Sequence, residues 1–320
     1  EVLVGMKACG ICGTDMEKVR GHSLTNTVLG HEVSGIISEV GEGVETYRVG
    51  ERVAVHHHVS CGNCRFCRTN RATLCSLFAS TNIYPGGFSE FFRVPRENVE
   101  RGAVIPLDEE IPFQEGSLLE PAGCCVRALS YLRGDYYGSA LIVGAGPVGL
   151  IHLQLLKLRG VDKVLVSDPI DFRLKTAEKF GADGTFNPRR GELSGRVEEI
   201  IRGGVDVSII ATGSLSGFYD GWSSVRPGGE VLQFGAPPLA REVVLDLSRF
   251  FLKEICLFSS YSTTESEMEK AKELLMGGSL DLEGLVTHAY SLDSVEEAFR
   301  TASDASESIK VMVESRSAEA

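Results

Sequence analysis

Residues 139–149 read Ser-Ala-Leu-Ile-Val-Gly-Ala-Gly-Pro-Val-Gly, in which an apolar run passes directly into a glycine-rich turn. The residues Ser139–Val143 predict a short buried strand, and the stretch Val148–Leu158 after the turn predicts a helix. Glycines at this spacing let the backbone come close to a pyrophosphate, which the positive end of the helix stabilises. This segment therefore predicts a dinucleotide-binding strand–turn–helix unit.

Asp168 ends the next predicted strand, Lys163–Val166, at the distance after the turn that such a unit requires. A carboxylate there accepts hydrogen bonds from the ribose hydroxyls of the adenosine and repels a 2′-phosphate, so the sequence favours NAD over NADP. Arg173 qualifies this preference, because a nearby arginine can accommodate the phosphate. The alternative interpretation of Asp168 is a solvated residue at a strand end.

The pattern around this unit predicts an α/β domain. A helix at Arg173–Phe180 and strands at Val207–Ala211 and Val231–Phe234 continue the alternation that begins near residue 120. Strands that alternate with helices form a parallel sheet covered on both faces, which is a doubly wound arrangement. A chain of 320 residues is long for one core, so a second domain is expected.

The residues before this domain show a different sequence pattern. Short β-type runs at Val33–Val40, Arg52–Val55 and Phe88–Val94 are broken by glycines. This pattern predicts an irregular, mostly β domain.

The residues after Tyr261 change again. Glu265–Met276 predicts a helix, and Asp293 with Glu296 resembles a capping box that opens a second helix. Ile309–Val313 predicts a final strand.

The composition limits the possible partners. A net charge of −12 argues against nucleic acid and anionic membranes, which attract basic surfaces. No apolar run approaches the roughly 20 residues that span a bilayer, and no secretion signal is recognisable, so a cytoplasmic protein is expected. The chain begins inside an apparent strand, which suggests that some N-terminal residues are missing.

Cys61, Cys64, Cys67 and Cys75 place four thiols within 15 residues. A tetrahedral shell of four thiolates suits zinc and leaves no open position for chemistry, so this group predicts a structural zinc site. The alternatives are unpaired thiols, two disulfides in a secreted protein, or an iron–sulfur cluster, although the spacing differs from that of ferredoxins.

An earlier group of residues could hold a catalytic metal. Cys12 lies in Gly-Ile-Cys-Gly-Thr-Asp, and His31 lies in Gly-His-Glu. A catalytic zinc uses three protein ligands plus water or substrate, and Cys12, His31 and a carboxylate could supply such a set. Each residue alone is a weak signal, since a single histidine is more often a packed or surface residue.

These two motifs, the four-cysteine spacing and the glycine-rich turn occur here in one order. In this combination the chain resembles the zinc-containing medium-chain dehydrogenase/reductase family, which includes alcohol, sorbitol, glucose and threonine dehydrogenases. The resemblance runs through nearly the whole chain. It implies a GroES-like, β-rich catalytic domain that begins with residues 1–120, a Rossmann domain at 121–260 that binds NAD, and a segment, 261–320, that returns to the catalytic domain.

The resemblance also implies the roles of individual residues. Cys12 and His31 bind the catalytic zinc, and Glu120 is the expected third ligand. Thr14 relays the proton of the bound alcohol, and Asp15 orients His31. The other candidates for the third ligand are Glu32, Cys124 and Cys125.

Further residues follow from the same resemblance. Ala211 and Thr212 are expected beside the nicotinamide, and His57, Phe78 and Thr81 in the substrate pocket. The alternative for the histidine segment 56–58 is an exposed position on the surface. The three adjacent histidines 56–58 are not expected to bind a metal together, because neighbours on a strand point to opposite faces. The predicted cofactor-binding residues are Gly144, Gly146, Pro147, Val148, Gly149, Asp168, Arg173, Ala211 and Thr212.

The resemblance therefore implies a dehydrogenase with two zinc ions per chain that transfers hydride between a secondary alcohol, polyol or sugar-alcohol-like, and NAD. A dimer or tetramer is expected. Glu17 stands where many relatives have a histidine that continues the proton relay, and Ser259 stands where the sorbitol branch has an arginine, which argues against sorbitol. The alternatives are an L-threonine 3-dehydrogenase-like enzyme, a simple alcohol dehydrogenase, or a non-catalytic nucleotide-binding protein of the same fold.

Overall fold

The computed structural model describes residues 1–21, 28–134 and 137–315. The strands are β1 (Val2–Gly10), β2 (Glu32–Val40), β3 (Arg52–Val55), β4 (Phe91–Val94), β5 (Val104–Pro106), β6 (Ser139–Val143), β7 (Lys163–Ser167), β8 (Gly184–Phe186), β9 (Val205–Ile210), β10 (Val225–Gln233), β11 (Cys256–Ser259), β12 (Val286–Ser291) and β13 (Lys310–Glu314). The α-helices are α1 (Gly13–Val19), α2 (Arg65–Arg68), α3 (Ser76–Ser80), α4 (Arg96–Glu100), α5 (Phe113–Ser117), α6 (Leu119–Leu129), α7 (Pro147–Leu158), α8 (Asp171–Lys179), α9 (Leu193–Ile200), α10 (Leu215–Ser224), α11 (Leu247–Leu252), α12 (Glu265–Met276) and α13 (Val295–Ser303). Short 3-10 helices lie at Ala72–Leu74, Pro188–Arg190, Glu283–Leu285 and Leu292–Ser294.

The chain forms two compact units. The first contains Glu1–Cys124 and Ser262–Ala320, and the second contains Cys125–Tyr261. Among the described residues, none of the helices combines the length and the apolar character that crossing a bilayer requires.

The second unit is built on a six-stranded parallel sheet. Its strand order is β11-β10-β9-β6-β7-β8, so the first strand in sequence, β6, lies in the interior with β7 and β9 on its two sides. The order reverses at β6, which is the switch point at which doubly wound sheets bind ligands. Every residue of β6 is buried, as expected for a strand covered on both faces. The predicted doubly wound α/β fold is thereby confirmed.

The first unit contains a mixed seven-stranded sheet in the order β12-β13-β1-β2-β3-β5, with β4 also paired to β1. β13 runs parallel to β12 and antiparallel to β1, so the C-terminal segment completes the sheet that the N-terminal strand begins. The core of this unit joins both parts of the chain, since Val4, Ile37 and Phe92 belong to the same cluster of buried side chains as Val311 and Val313.

The expected capping box at Asp293 and Glu296 is wrong. Asp293 lies inside the 3-10 turn Leu292–Ser294, and the cap residue of α13 is Ser294, which makes no side-chain capping bond. A residue within a helical turn does not have the extended backbone from which a cap side chain reaches the free N–H groups. Thr264 and Glu267 form a capping box instead, at the start of α12.

Gly149 permits the tight packing of the glycine-rich turn on helix α7. A Cβ atom added at this position would lie 1.9 Å from the carbonyl oxygen of Gly144, which no real Cβ contact allows. Gly195 in helix α9 is a matched glycine with open space around its Cβ position.

We expect Gly149→Ala to lower the free energy of unfolding by about 1–3 kcal/mol, because the methyl group must displace backbone. Gly195→Ala should raise the free energy of unfolding by about 0.5–1 kcal/mol, since alanine is the better helix former. Urea denaturation of both variants checks this expectation. Equal effects in the two variants would show that the close approach at Gly149 does not constrain the turn.

Candidate metal centre and cofactor site

The four-cysteine lobe follows β3 and surrounds helix α2. The sulfur atoms of Cys61, Cys64, Cys67 and Cys75 lie within 4.8 Å of one another. The backbone N–H of Cys64 donates to the sulfur of Cys61 at 3.3 Å, and that of Cys61 donates to the sulfur of Cys75 at 3.4 Å. Burial acts to raise the pKa of Cys75, but backbone N–H donors outweigh burial and lower the pKa to about 6. The group fits a structural zinc ion bound by four thiolates.

Asp15 connects the residues of the second candidate metal group. Its carboxylate is fully buried and accepts hydrogen bonds from the backbone N–H of Cys12 at 3.2 Å and of Gly30 at 3.0 Å. The Nδ1 atom of His31 lies 3.5 Å from the same carboxylate, which leaves Nε2 of His31 for a metal. Burial alone would raise the pKa of Asp15, but His31 and the two N–H donors outweigh it and lower the pKa.

Cys12, His31 and Glu32 each offer one ligand atom, and these atoms lie within 4.8 Å of one another. Cys12 is the cap residue of helix α1, and its sulfur accepts the N–H of Thr14 at 3.5 Å. Burial acts to lower the pKa of His31, but Asp15 and Cys12 outweigh burial and raise the pKa well above the ordinary value. The mixed sulfur, nitrogen and oxygen donors of this group fit a catalytic zinc ion.

Glu32 has a buried cationic partner. The Nζ atom of Lys310 lies 2.5 Å from Oε2 of Glu32 and donates to the carbonyl of Ile11 at 3.1 Å. Burial acts to lower the pKa of Lys310, but Glu32 outweighs it and raises the pKa. Gly10 lies opposite Glu32 in the sheet, and a Cβ atom at Gly10 would come within 2.2 Å of Oε2. Only glycine at this position allows the carboxylate to take this place.

Glu120 lies on helix α6, with its carboxylate near the ring nitrogens of His56 and His57 rather than in the trio of Cys12, His31 and Glu32. Burial raises the pKa of Glu120. The rings of His57 and His31 are 4.9 Å apart, so the two groups of donors adjoin each other.

The expected relay residues lie on helix α1. Thr14 is exposed in the first turn of this helix. The carboxylate of Glu17 forms an ion pair with Arg20 at 3.0 Å, on the same helix.

The other expected pocket residues support the histidines. Phe78 is 1% exposed, and its ring lies 4.8 Å from that of His58. The carbonyl oxygen of Thr81 is 2.6 Å from Nδ1 of His58, and the hydroxyl of Thr81 accepts the N–H of Val59. Both residues thus hold the loop that carries the histidines.

The glycine-rich turn of the second unit joins β6 to α7. Gly144 has a φ of +105°, a conformation that side chains other than glycine rarely adopt. Gly146 is the cap residue of α7, and Pro147 occupies the first helical position. Val148 and Gly149 follow in the first turn. The free N–H groups at this helix end suit a pyrophosphate.

Asp168 follows β7 and closes this turn. Its carboxylate accepts the N–H of Ala145 and the N–H of Ile170, both at 2.8 Å. Burial raises the pKa of Asp168, although these donors and Arg173 act in the opposite direction. Ala211 and Thr212 follow β9, the strand on the other side of β6. The strand ends thus bring the predicted cofactor residues to one edge of the sheet.

Two residues near the metal groups were missed by sequence reasoning. Lys310 is a buried lysine within an apolar strand, and a buried charge requires a partner, which was a usable signal. Glu265, whose Oε1 lies 3.3 Å from Nδ1 of His56, carried no signal, because only the tertiary fold brings α12 to the histidines.

Comparisons with known proteins agree with this geometry. Residues 1–106 match the family "Alcohol dehydrogenase GroES-like domain", and residues 147–276 match the family "Zinc-binding dehydrogenase". The chain is 34% identical to an L-threonine 3-dehydrogenase of Pyrococcus horikoshii, over 93% of this chain and 87% of the relative. It is 31% identical to a probable D-xylulose reductase A of Aspergillus fumigatus, over 94% of this chain and 86% of the relative.

Two solved structures are similar over 98% of this chain and 91% of their own. One is described as a short chain alcohol dehydrogenase (rspB) from E. coli CFT073 complexed with NADH, with a TM-score of 0.87 and 31% identity. The other is described as a putative zinc-binding dehydrogenase from Sinorhizobium meliloti 1021 bound to NADP, with a TM-score of 0.85 and 27% identity.

The ion pair of Lys310 and Glu32 leads to a prediction about stability. Lys310→Met should lower the free energy of unfolding by about 3–5 kcal/mol, because the variant leaves the Glu32 carboxylate buried without its cation. The double variant Lys310→Met, Glu32→Gln should recover most of this loss. Urea denaturation of both proteins measures the effects.

Lys272→Met is the control, since Lys272 pairs with the half-exposed Asp108 at 3.2 Å. Removal of such a surface pair should change the free energy of unfolding by less than about 1 kcal/mol. A loss at Lys310 no larger than that at Lys272 would contradict the assignment of a buried, mutually dependent pair.

Proposed function

This chain belongs to the zinc-containing medium-chain dehydrogenase/reductase family and is a zinc-dependent alcohol or polyol dehydrogenase; on this premise we propose that it oxidises a polyol-like secondary alcohol with NAD⁺ at the group formed by Cys12, His31 and a glutamate. The observation that carries the proposal is the mutual approach of Cys12, His31 and Glu32 within 4.8 Å, with buried Asp15 behind His31. The geometry favours Glu32 as the third ligand, and the family resemblance favours Glu120.

The metal and the side chains of this group have different roles in the proposed reaction. A zinc ion held by Cys12, His31 and a glutamate would polarise the oxygen of an alcohol and lower its pKa, the chemistry that hydride transfer to a nicotinamide requires. Asp15 keeps Nδ1 of His31 engaged and so directs Nε2 inward. The hydroxyl of Thr14, in the exposed first turn of α1, is suited to accept the alcohol proton and release it to solvent.

Glu17 is not required for this proton route. Its carboxylate is engaged with Arg20, and Thr14 is itself exposed, so water can receive the proton directly from the threonine. His57, whose ring lies against His31, is the proposed wall of the substrate pocket.

A polyol-like alcohol is the proposed substrate, and NAD the proposed cofactor. The similarity to a probable D-xylulose reductase supports the first, and Asp168 at the end of β7 supports the second, because its carboxylate disfavours a 2′-phosphate. The similarity to an L-threonine 3-dehydrogenase makes L-threonine the second candidate substrate. We also propose a cytoplasmic location, since a reducing compartment keeps the four thiols of Cys61, Cys64, Cys67 and Cys75 available for metal.

Metal content and turnover test this proposal together. The wild type should contain zinc at both cysteine-containing groups and reduce NAD⁺ with a member of a panel of polyols, secondary alcohols and L-threonine. Cys12→Ala should lose one zinc ion per chain and at least 100-fold in kcat/KM. Cys64→Ser should also lose one zinc ion, but its main effect should be a lower melting temperature. An unchanged zinc content in Cys12→Ala would show that Cys12 holds no metal.

We further propose that the second unit pairs with a second copy of the chain through strand β11. β11 is bonded to β10 along one edge, and among the described residues its other edge has no partner strand. Two copies of one edge strand can pair antiparallel across a two-fold axis, which satisfies the free backbone groups of both. The chain that precedes β11, together with β11 itself, exposes several large apolar side chains, with exposed fractions from 37% to 83%: Leu239, Val243, Val244, Leu247, Phe251, Leu252 and Leu257.

A charged substitution on this apolar surface should separate the copies. Phe251→Asp with Leu252→Asp should convert a dimer or tetramer to a smaller species, as measured by light scattering after size-exclusion chromatography. Leu158→Asp is the control, because Leu158 is 49% exposed and ends α7, the helix that follows the interior strand β6 rather than the edge strand β11. A monomeric wild type at micromolar concentration would refute the proposed pairing.

A further inference from the structure

The loops that follow strands β9 and β10 run side by side at the edge of the parallel sheet. Residues 211–213 follow β9, and residues 234–236 follow β10. The N–H groups of Phe234 and Gly235 both donate to the carbonyl of Ile210, the last residue of β9, at 3.0 and 2.8 Å. The two loops therefore leave the ends of neighbouring strands in direct backbone contact.

Glycines in both loops bring the two backbones unusually close. A Cβ atom added at Gly235 would lie within 2.5 Å of three backbone atoms of Thr212, and one added at Gly213 would lie 2.2 Å from the carbonyl oxygen of Ala236. Carbonyl oxygens carry negative partial charge, so oxygens that converge in such packing repel one another unless a donor lies between them. The close approach of these loops therefore needs a donor.

Gln233, the last residue of β10, supplies this donor. Its Nε2 atom donates to the carbonyl oxygen of Thr212 at 3.3 Å and to that of Gly235 at 2.5 Å. Two acceptors around one end of the side-chain amide fix its orientation, because the nitrogen and not the oxygen must lie between them. One half-buried side chain thus links the loop after β9 to the loop after β10.

The position of this link in the sheet relates it to one part of a dinucleotide. Doubly wound sheets bind their ligand outside the carboxyl ends of the strands. Asp168 and the residues of the adenosine side follow β7, whereas β9 and β10 lie on the other side of β6. Thr212, which is expected beside the nicotinamide, is itself one of the two residues that Gln233 holds.

We propose that Gln233 is a positioning residue for the nicotinamide riboside half of the cofactor. It holds the backbone of Thr212 and Gly235 in the places from which these two loops receive the nicotinamide and its ribose. The inference rests on the proposed NAD site and adds to it a side chain that fixes one half of that site.

NADH and ADP separate the two halves of the cofactor, because ADP keeps the adenosine and two phosphates but lacks the nicotinamide riboside. Gln233→Glu is nearly isosteric and places an acceptor where two carbonyl oxygens need a donor. This variant should raise the Kd for NADH about 10–100-fold, the effect of leaving these acceptors unsatisfied, and leave the Kd for ADP unchanged. The fluorescence of bound NADH and calorimetry with ADP measure both constants without turnover. ADP also reports any effect of the new charge on the phosphates.

Gln154→Glu is the matched control. Gln154 is also a half-buried glutamine of the second unit, and it lies in the second half of α7, beyond the glycine-rich turn. This variant should bind NADH and ADP as the wild type does. Gln233→Lys restores N–H donors and should bind NADH more tightly than Gln233→Glu, a recovery that a role in side-chain packing alone would not produce.

The outcomes separate this inference from the proposed function. A folded Gln233→Glu protein that binds NADH as the wild type does would overturn the role of Gln233. Equal losses of NADH and ADP affinity would also overturn it, since the effect would not be confined to the nicotinamide half. A wild type that binds neither ligand would instead overturn the proposed cofactor site, and this inference with it.

Gln233→Leu provides the same comparison if Gln233→Glu melts far below the wild type. It removes the donor without adding a charge, so the Kd for NADH should rise about 3–10-fold, the effect of losing a neutral hydrogen bond. An unchanged ratio of the two dissociation constants in this variant would equally refute the proposed role.

Discussion

The buried carboxylate of Asp15 is the interaction on which the metal-binding half of the structure depends. It accepts N–H groups from Cys12 and Gly30, two positions that are distant in sequence, and it faces Nδ1 of His31. Because a carboxylate without partners is costly to bury, these segments must meet if the first unit is to fold. Once they meet, the sulfur of Cys12 and the imidazole of His31 lie together. The hydrogen bonds of the fold therefore contribute directly to the geometry of the candidate metal group.

The local parts of this arrangement could be predicted from the sequence. The strand Ser139–Val143 and the helix Glu265–Met276 have the predicted bounds, since an apolar run between glycines and a periodic stretch with clear ends are signals contained in neighbouring residues. The four cysteines also come together as predicted, because a short loop can close around one point whatever the rest of the chain does.

The parts that depend on distant pairing could not be predicted in the same way. Lys310 meets Glu32 across 278 residues, and Glu265 meets His56 across 209. The apolar strand around Lys310 signals that this lysine needs a partner, but the local sequence does not identify the partner in either contact. β3 ends at Val55 as predicted, and a ring nitrogen of His56 and one of His57 lie within 4.8 Å of each other, a proximity that the strand pattern did not predict.

His31 and His56 are oriented in the same way, each by a carboxylate close to its Nδ1 atom. His31 has Asp15 at its Nδ1, from the first turn of α1, and His56 has Glu265 at its Nδ1, from the first residue of α12. A helix N-terminus favours negative charge, so each carboxylate lies at a position in its helix that suits an acidic side chain. A carboxylate that accepts the N–H of Nδ1 leaves Nε2 as the ring nitrogen with the lone pair. The positions at which α1 and α12 begin therefore determine where Asp15 and Glu265 lie. These two carboxylates in turn determine which nitrogen of His31 and of His56 stays available as a ligand.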